Sequence, residues 1–266
     1  MVRTVQLIAL GMLAGLLTLS VAGCQTMGDD TTGSISATGG PHTPSDWRRL
    51  IAIWGPRYHA NPGDAQAAIV YARALRGIGE RAQAVAVLQQ STIRNPNDMK
   101  LLGQYGRALA DAGEYPEALD ALTRAHTPDN PDWRILNAQG AVLDQMGRHH
   151  AAQRHYMAAL KMVPNEPSVL SNLGLSYALE KKLKLAEATL RKAIVQPDAD
   201  PRVRQNLALI VGLEGRFAEA ERIASADLPA AQAASNVAYL RDILAHKSSW
   251  KKNLKHPYLP PDKTGA

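Results

Sequence analysis

The residues with most chemical potential in this sequence are one thiol, three histidines and a short serine segment. Cys24 is the only cysteine among 266 residues, so no intramolecular disulfide can form. A lone thiol is a nucleophile or a site of acylation, and this one directly follows the small residues Ala22 and Gly23. His149, His150 and His155 form the only histidine cluster, with separations of one, five and six residues. Helices that hold a metal place histidines four apart on one face, so packing suits these three better than ligation. Neither a His-Glu-x-x-His zinc motif nor a phosphate-cradling loop occurs. Gly174-Leu175-Ser176-Tyr177-Ala178 has the letter pattern of a nucleophile elbow. That device needs a strand-to-helix turn, and the segment lies inside a helical pattern. The carboxylates are scattered, with no pair tied to one pocket. The expectation is therefore a chain that is not an enzyme, with no catalytic residues, no cofactor, no metal and no small-molecule substrate.

The elements around Cys24 read as an address and an anchor. Residues 1–23 carry a positive start (Arg3), an apolar run from Val5 to Leu19 and then small residues, the pattern of an export signal. The run is too short for a permanent span, which wants about 20 apolar residues. Leu19-Ser20-Val21-Ala22-Gly23-Cys24 resembles the bacterial lipobox. That resemblance implies cleavage before Cys24, lipidation of its thiol and acylation of its new amino group. Several acyl chains on one residue give stable anchoring, at about 0.8 kcal/mol per buried methylene. Gln25 follows, where an aspartate would favour retention in the inner membrane. The resemblance therefore implies an anchor in the outer membrane, at its periplasmic face. Residues 24–44 are then the lipidated cysteine and a Thr-, Gly- and Ser-rich linker, with a typical end-to-end distance of about 25 Å.

Beyond the linker the sequence repeats itself. Units begin at Ala65, Met99, Trp133, Pro167 and Pro201, 34 residues apart without insertion or deletion. The eighth place is small (Ala72, Gly106, Gly140, Gly174, Ala208) and the twentieth is always alanine (Ala84, Ala118, Ala152, Ala186, Ala220). The twenty-fourth is large and apolar in four units: Leu88, Leu122, Tyr156 and Leu190. The fifteenth is glycine (Gly79, Gly113, Gly147, Gly215) except for Lys181, and Pro96, Pro131, Pro164 and Pro197 close most units. Small residues at the eighth and twentieth places let two antiparallel helices approach closely. The glycine ends the first helix where a left-handed conformation costs it little, and the proline stops the second. A single pair of helices has too little core to stand alone, so stacking buries a continuous one.

The pattern resembles the tetratricopeptide repeat over residues 65–228. It implies an all-α fold, a right-handed α-solenoid of five 34-residue units: 65–98, 99–132, 133–166, 167–200 and 201–228. A partial N-terminal repeat helix occupies 45–64, with Leu50, Ile53 and Trp54 as its apolar residues. A capping helix occupies 229–247, with Val237, Leu240, Ile243 and Leu244 inward. Residues 248–266, with three prolines, read as a basic extended tail.

Charge excludes one class of partner. The formal charge is +6, of which Arg3 lies in the leader and a net +4 in the tail, so the body is close to neutral. Nucleic-acid binding would need a basic face spread along the body. Aromatics are 5% of residues, which also disfavours a sandwich or barrel built on a large aromatic core.

In tetratricopeptide proteins the first helices of successive units line a concave groove that holds a peptide. In this register the resemblance implies a groove of Arg73, Arg76, Arg107, Asn137, Asn172, Leu175, Leu179, Asn206, Leu209 and Leu213. Its first half would be cationic and its second half apolar with amides. The pattern departs from the carboxylate clamp that some of these repeats use, so no preference for chain termini is carried over. Lipobox, linker and repeats together resemble the TadD lipoproteins of the tight-adherence (Flp) pilus apparatus and the PilF/PilW pilotins of type IV pili. Those families imply a protein partner, a peptide segment of a pilus or secretin component, and a role in localising or assembling the outer-membrane secretin. An adaptor lipoprotein that recruits cell-wall enzymes is the alternative, and an enzyme using the histidines is the remote one.

Overall fold

The computed structural model describes the backbone of residues 43–255 and the side chains of 43–246. The expected leader, Cys24 and most of the linker lie outside the described residues. Twelve helices and no strand occur among the described residues. They are α1 (Pro44–Ala60), α2 (Ala65–Gly77), α3 (Arg81–Arg94), α4 (Met99–Ala112), α5 (Tyr115–Arg124), α6 (Trp133–Gln145), α7 (His149–Met162), α8 (Pro167–Leu179), α9 (Leu183–Ile194), α10 (Pro201–Leu213), α11 (Phe217–Ala224) and α12 (Ala230–Lys255). Each helix packs on its neighbours in sequence, and each first helix also meets the first helix of the next unit. That is the contact pattern of a solenoid.

The repeat positions explain why each pair closes. The five alanines at the twentieth place are all fully buried. The eighth place of a unit lies against the twenty-fourth of the same unit. A Cβ on Gly106 would stand 2.6 Å from Leu122 Cγ and 3.1 Å from the Ala118 carbonyl oxygen. On Gly174 it would stand 2.8 Å from Leu190 Cγ and 3.3 Å from the Ala186 oxygen. In these units the helices approach so closely that even a methyl group at the eighth place would press on the facing side chain and carbonyl.

The turn between first and second helix is a Schellman motif in every unit. Glu80 N–H reaches the Leu75 carbonyl (2.9 Å), Glu114 that of Leu109 (2.9 Å) and Arg148 that of Leu143 (2.8 Å). The motif needs a left-handed residue, and the four glycines supply it at φ between 73° and 86°. Lys181, the exception in the sequence, is forced to the same conformation at φ 65°.

A signal missing from the sequence reading fixes the other end of each unit. The residue before every unit is acidic: Asp64, Asp98, Asp132, Glu166 and Asp200. Each carboxylate accepts a hydrogen bond from a first-turn N–H, at 3.0 Å for Ala67, 2.9 Å for Leu101, 2.7 Å for Arg134, 3.4 Å for Ser168 and 2.7 Å for Arg202. Such caps contribute about 1 kcal/mol each.

The ends differ in detail from expectation. In α1, capped by Thr43 and Asp46, the buried anchors are Trp47 and Tyr58, whereas Ile53 is 47% exposed. Trp47 lies over Gly77, where a Cβ would be only 2.4 Å from the indole, so α1 seats on the end of α2. At the other end α12 closes the stack with Ala233, Val237 and Leu240 buried, and Leu240 occupies the space above Gly212. The Arg241 guanidinium caps the Phe217 ring at 4.8 Å. The capping helix does not stop at 247: α12 continues to Lys255, which corrects the extended reading of residues 248–255. The three tail prolines lie beyond it, outside the described residues. No helix among the described residues is long and apolar enough to cross a membrane.

Candidate partner-binding face

The first helices α2, α4, α6, α8 and α10 stand side by side, joined by polar contacts, three of the four one repeat plus one residue apart. Arg76 Nε donates to Asp111 Oδ2 at 2.6 Å, with both side chains about nine-tenths buried. Asn172 Nδ2 donates to Asn137 Oδ1 at 3.0 Å, and Asn206 Nδ2 to Ser171 Oγ at 3.0 Å. Arg107 donates to the Arg134 carbonyl at 3.4 Å. These bonds tie each unit to the next.

The ten residues expected to line the groove therefore divide by burial. Asn137 is fully buried and Arg107 is 7% exposed, and Arg76 is held in the buried pair with Asp111. Those three lie within the joints between first helices, which corrects the expectation of a cationic half presented by three arginines. The physical reason is that adjacent first helices are close enough for side chains at these places to be sealed by the next unit. Arg73 alone of the three arginines is exposed, with its guanidinium 5.8 Å from the Trp47 ring. Asn172, Asn206, Leu175, Leu179, Leu209 and Leu213 are half-buried. Leu213 packs against the core around Leu207 and Val211, so part of its surface is structural.

The histidine corner holds a buried polar cluster. His149 Nδ1 lies 2.8 Å from Asp144 Oδ1, Ser176 Oγ donates to the same oxygen at 2.9 Å, and the Tyr156 hydroxyl donates to Oδ2 at 3.0 Å. Burial pushes the Asp144 carboxyl above the usual carboxylate range, against the hydrogen bonds from His149, Ser176 and Tyr156 that pull it down. Burial beside that carboxyl raises the Tyr156 phenol well above its ordinary value. The resemblance of Ser176 to a nucleophile ends here. Its hydroxyl bonds to the carboxylate, not to the imidazole, and the side chain is fully buried inside α8. A serine so placed has no imidazole to activate it and no access for a substrate. The cluster links the third unit to the fourth. His150 lies 3.2 Å from Glu180 on the rim, and burial lowers the His155 pKa. No group of three or more His, Cys, Asp or Glu among the described residues is arranged to hold a metal.

A second ionic joint links the fourth unit to the fifth. Arg216 bonds to Glu187 (2.8 and 2.9 Å), Glu214 (2.7 Å) and Glu219 (2.7 Å), and Arg191 bridges Glu187 and Glu219. The Arg216 guanidinium, aided by Arg191, holds the Glu187 carboxyl down at about 2.

Comparisons with known proteins agree with this geometry. Residues 71–132 and 137–202 match the tetratricopeptide repeat family. No curated protein matches the chain by sequence. Among solved structures, PilW, a widely conserved type IV pilus biogenesis factor, is similar at TM-score 0.63 and 18% identity, over 73% of this chain and 91% of that one. Cut9 in the APC/C hetero-tetramer Cut9–Hcn1 is similar at TM-score 0.62 and 15% identity, over 76% of this chain and 40% of that one. Human IFIT1 follows at TM-score 0.56 and 16% identity, over 68% of this chain and 45% of that one. At such identities the likeness concerns fold. The repeat match over residues 71–132 and 137–202 and the twelve stacked helices together give the described residues the fold of a tetratricopeptide-repeat α-solenoid.

Proposed function

We propose that this chain is a lipid-anchored scaffold on the periplasmic face of the outer membrane that binds a protein segment and assists assembly of a pilus or secretion apparatus. A protein-binding scaffold follows from the fold itself, since a tetratricopeptide solenoid presents a continuous row of first helices to a partner. The observation that carries the reading further is the likeness to PilW over nine-tenths of that chain, combined with the lipobox-like residues ending at Cys24. The half-buried leucines Leu175, Leu179 and Leu209 on adjacent first helices supply an apolar surface for such a segment.

The test is crosslinking and co-purification from solubilised membranes, comparing the wild-type chain with a Leu175→Asp, Leu209→Asp variant. A pilus or secretin component recovered with the wild type and lost with the folded variant supports the proposal. Recovery of cell-wall hydrolases or synthases instead would replace the pilus reading by an adaptor for those enzymes. Equal recovery by both chains would show that these leucines do not contact the partner.

A further inference from the structure

The 34-residue pattern is unbroken in sequence but not in space. The second helices α3 and α7 have 14 residues each, α9 has 12 and α11 has 8, while α5 has 10 and stops at Arg124. The chain then makes a tight loop in which the backbones of Thr127 and Asn130 pair with each other. The shortened helix leaves an open cleft of about 480 Å³ between the start of α4, this loop and the start of α6.

The lining has a consistent chemistry. Lys100 and Arg134, each second in its unit, are both exposed on the rim, and neither is in an ion pair among the described residues. Lys100 meets only the neutral amide of Gln66 at 3.3 Å, and the Arg134 guanidinium lies over the Trp133 ring at 4.5 Å. Asp132 is the one carboxylate of the lining, and it is engaged with the Arg134 N–H as the cap of α6. Contrast Arg202, the same place in the fifth unit, which is closed onto Asp200 at 3.0 and 3.1 Å. Between the cations the cleft offers Met99 and Met162, 37% and 40% exposed. Thioether side chains adapt to varied apolar shapes.

We propose that this cleft binds an acidic segment of a protein partner, with a large apolar side chain seated between Met99 and Met162 and flanking carboxylates on Lys100 and Arg134. The proposal rests on the reading of the chain as a protein-binding scaffold, and adds where the segment enters and what it is made of. It places the entry point in the second and third units, away from the leucines of the fourth and fifth.

A fluorescein-labelled peptide of alternating glutamate and leucine is the probe, and a lysine–leucine peptide of the same length is its control. Both are titrated by anisotropy against the full chain. The acidic peptide is expected to bind and the basic one not to, with affinity falling as salt is raised. Arg134→Glu, Lys100→Glu and Met162→Glu are each expected to weaken binding about tenfold or more, by charge repulsion across the cleft. All three positions are exposed, so an unchanged thermal melt separates lost binding from lost fold. Equal binding of the two peptides, no binding of either, or affinities of the three variants within twofold of wild type overturns the proposal. Co-purification keeps the two readings apart. A membrane partner lost with the Leu175→Asp, Leu209→Asp variant but retained with Arg134→Glu would overturn the cleft and leave the scaffold standing.

Discussion

Substituting Gly140 by alanine tests the close helix contact in its most constrained form. A Cβ at this place would stand 2.5 Å from Tyr156 Cε1 and 2.8 Å from two further ring atoms. Elsewhere such a clash is relieved by a small movement of the opposing side chain. Here the ring is 1% exposed and its hydroxyl is tied to Asp144 at 3.0 Å, so a shift breaks a buried hydrogen bond. Overpacking costs about 1–3 kcal/mol. A buried polar group left unsatisfied adds about 1–3 kcal/mol. Replacing glycine in a helix returns about 1 kcal/mol. These terms leave an expected net loss of about 1–5 kcal/mol, or roughly 2–20 °C in Tm for a domain of this size. Thermal unfolding followed by circular dichroism of the purified full chain measures it. The double variant Gly140→Ala, Tyr156→Leu supplies the internal control, because it reproduces the Ala72–Leu88 pair that the first unit already carries. It should recover part of the loss, short of the hydrogen bond that Asp144 no longer receives. A Gly140→Ala chain as stable as wild type would refute the register on which the helix pairing rests.

Lys181→Gly should raise stability by about 0.5–1 kcal/mol, since a lysine at φ 65° carries left-handed strain that the other four units avoid; no gain in Tm would sink this account. Ala152→Leu should lower stability by about 1–3 kcal/mol, because the alanine is fully buried against the facing helix, and the same melt checks it. Glu187, held at about 2 by Arg216 and Arg191, contributes stability that is fully present above its unfolded value and lost as pH falls through about 2. In Glu187→Gln the part of the pH dependence between about 4.5 and 2 should shrink, by about 1–2 kcal/mol once solvent screening is counted. Cys24→Ser should abolish acylation and move the chain from the carbonate-washed membrane pellet to the soluble fraction; retention in the pellet would contradict the lipid anchor.

The sequence made the internal geometry of each unit legible because that geometry is set by steric exclusion at fixed places. Alanine at five twentieth places and glycine at four fifteenth places can hardly mean anything else. Lys181 even showed that the backbone conformation belongs to the place and not to the glycine. What lies between units was hidden. Arg76 and Asp111 are 35 residues apart and look like two solvated charges, and only the stagger of one first helix past the next buries them together. Asp144 is equally ordinary in sequence, although it gathers His149 and Tyr156 from α7 and Ser176 from α8. The row of acidic caps is present in the sequence but inconspicuous, because a carboxylate recurring every 34 residues looks like part of a polar loop. The end of α12 was also misjudged, since the prolines that suggested an extended tail begin only at Pro257.

The joints between first helices have a consequence for the reach of the molecule. Asn137 meets Asn172, and Ser171 meets Asn206, at the same offset of 35 residues. Removing residues 167–200 would set α10 beside α6 and bring Asn206 to the place Asn172 leaves, so an amide would again face Asn137. The length of this scaffold is therefore quantised. A lineage can lengthen or shorten it by whole turns of the stack and recover a sealed joint each time, whereas a gain or loss of a few residues would put every cap, glycine and alanine beyond it out of phase.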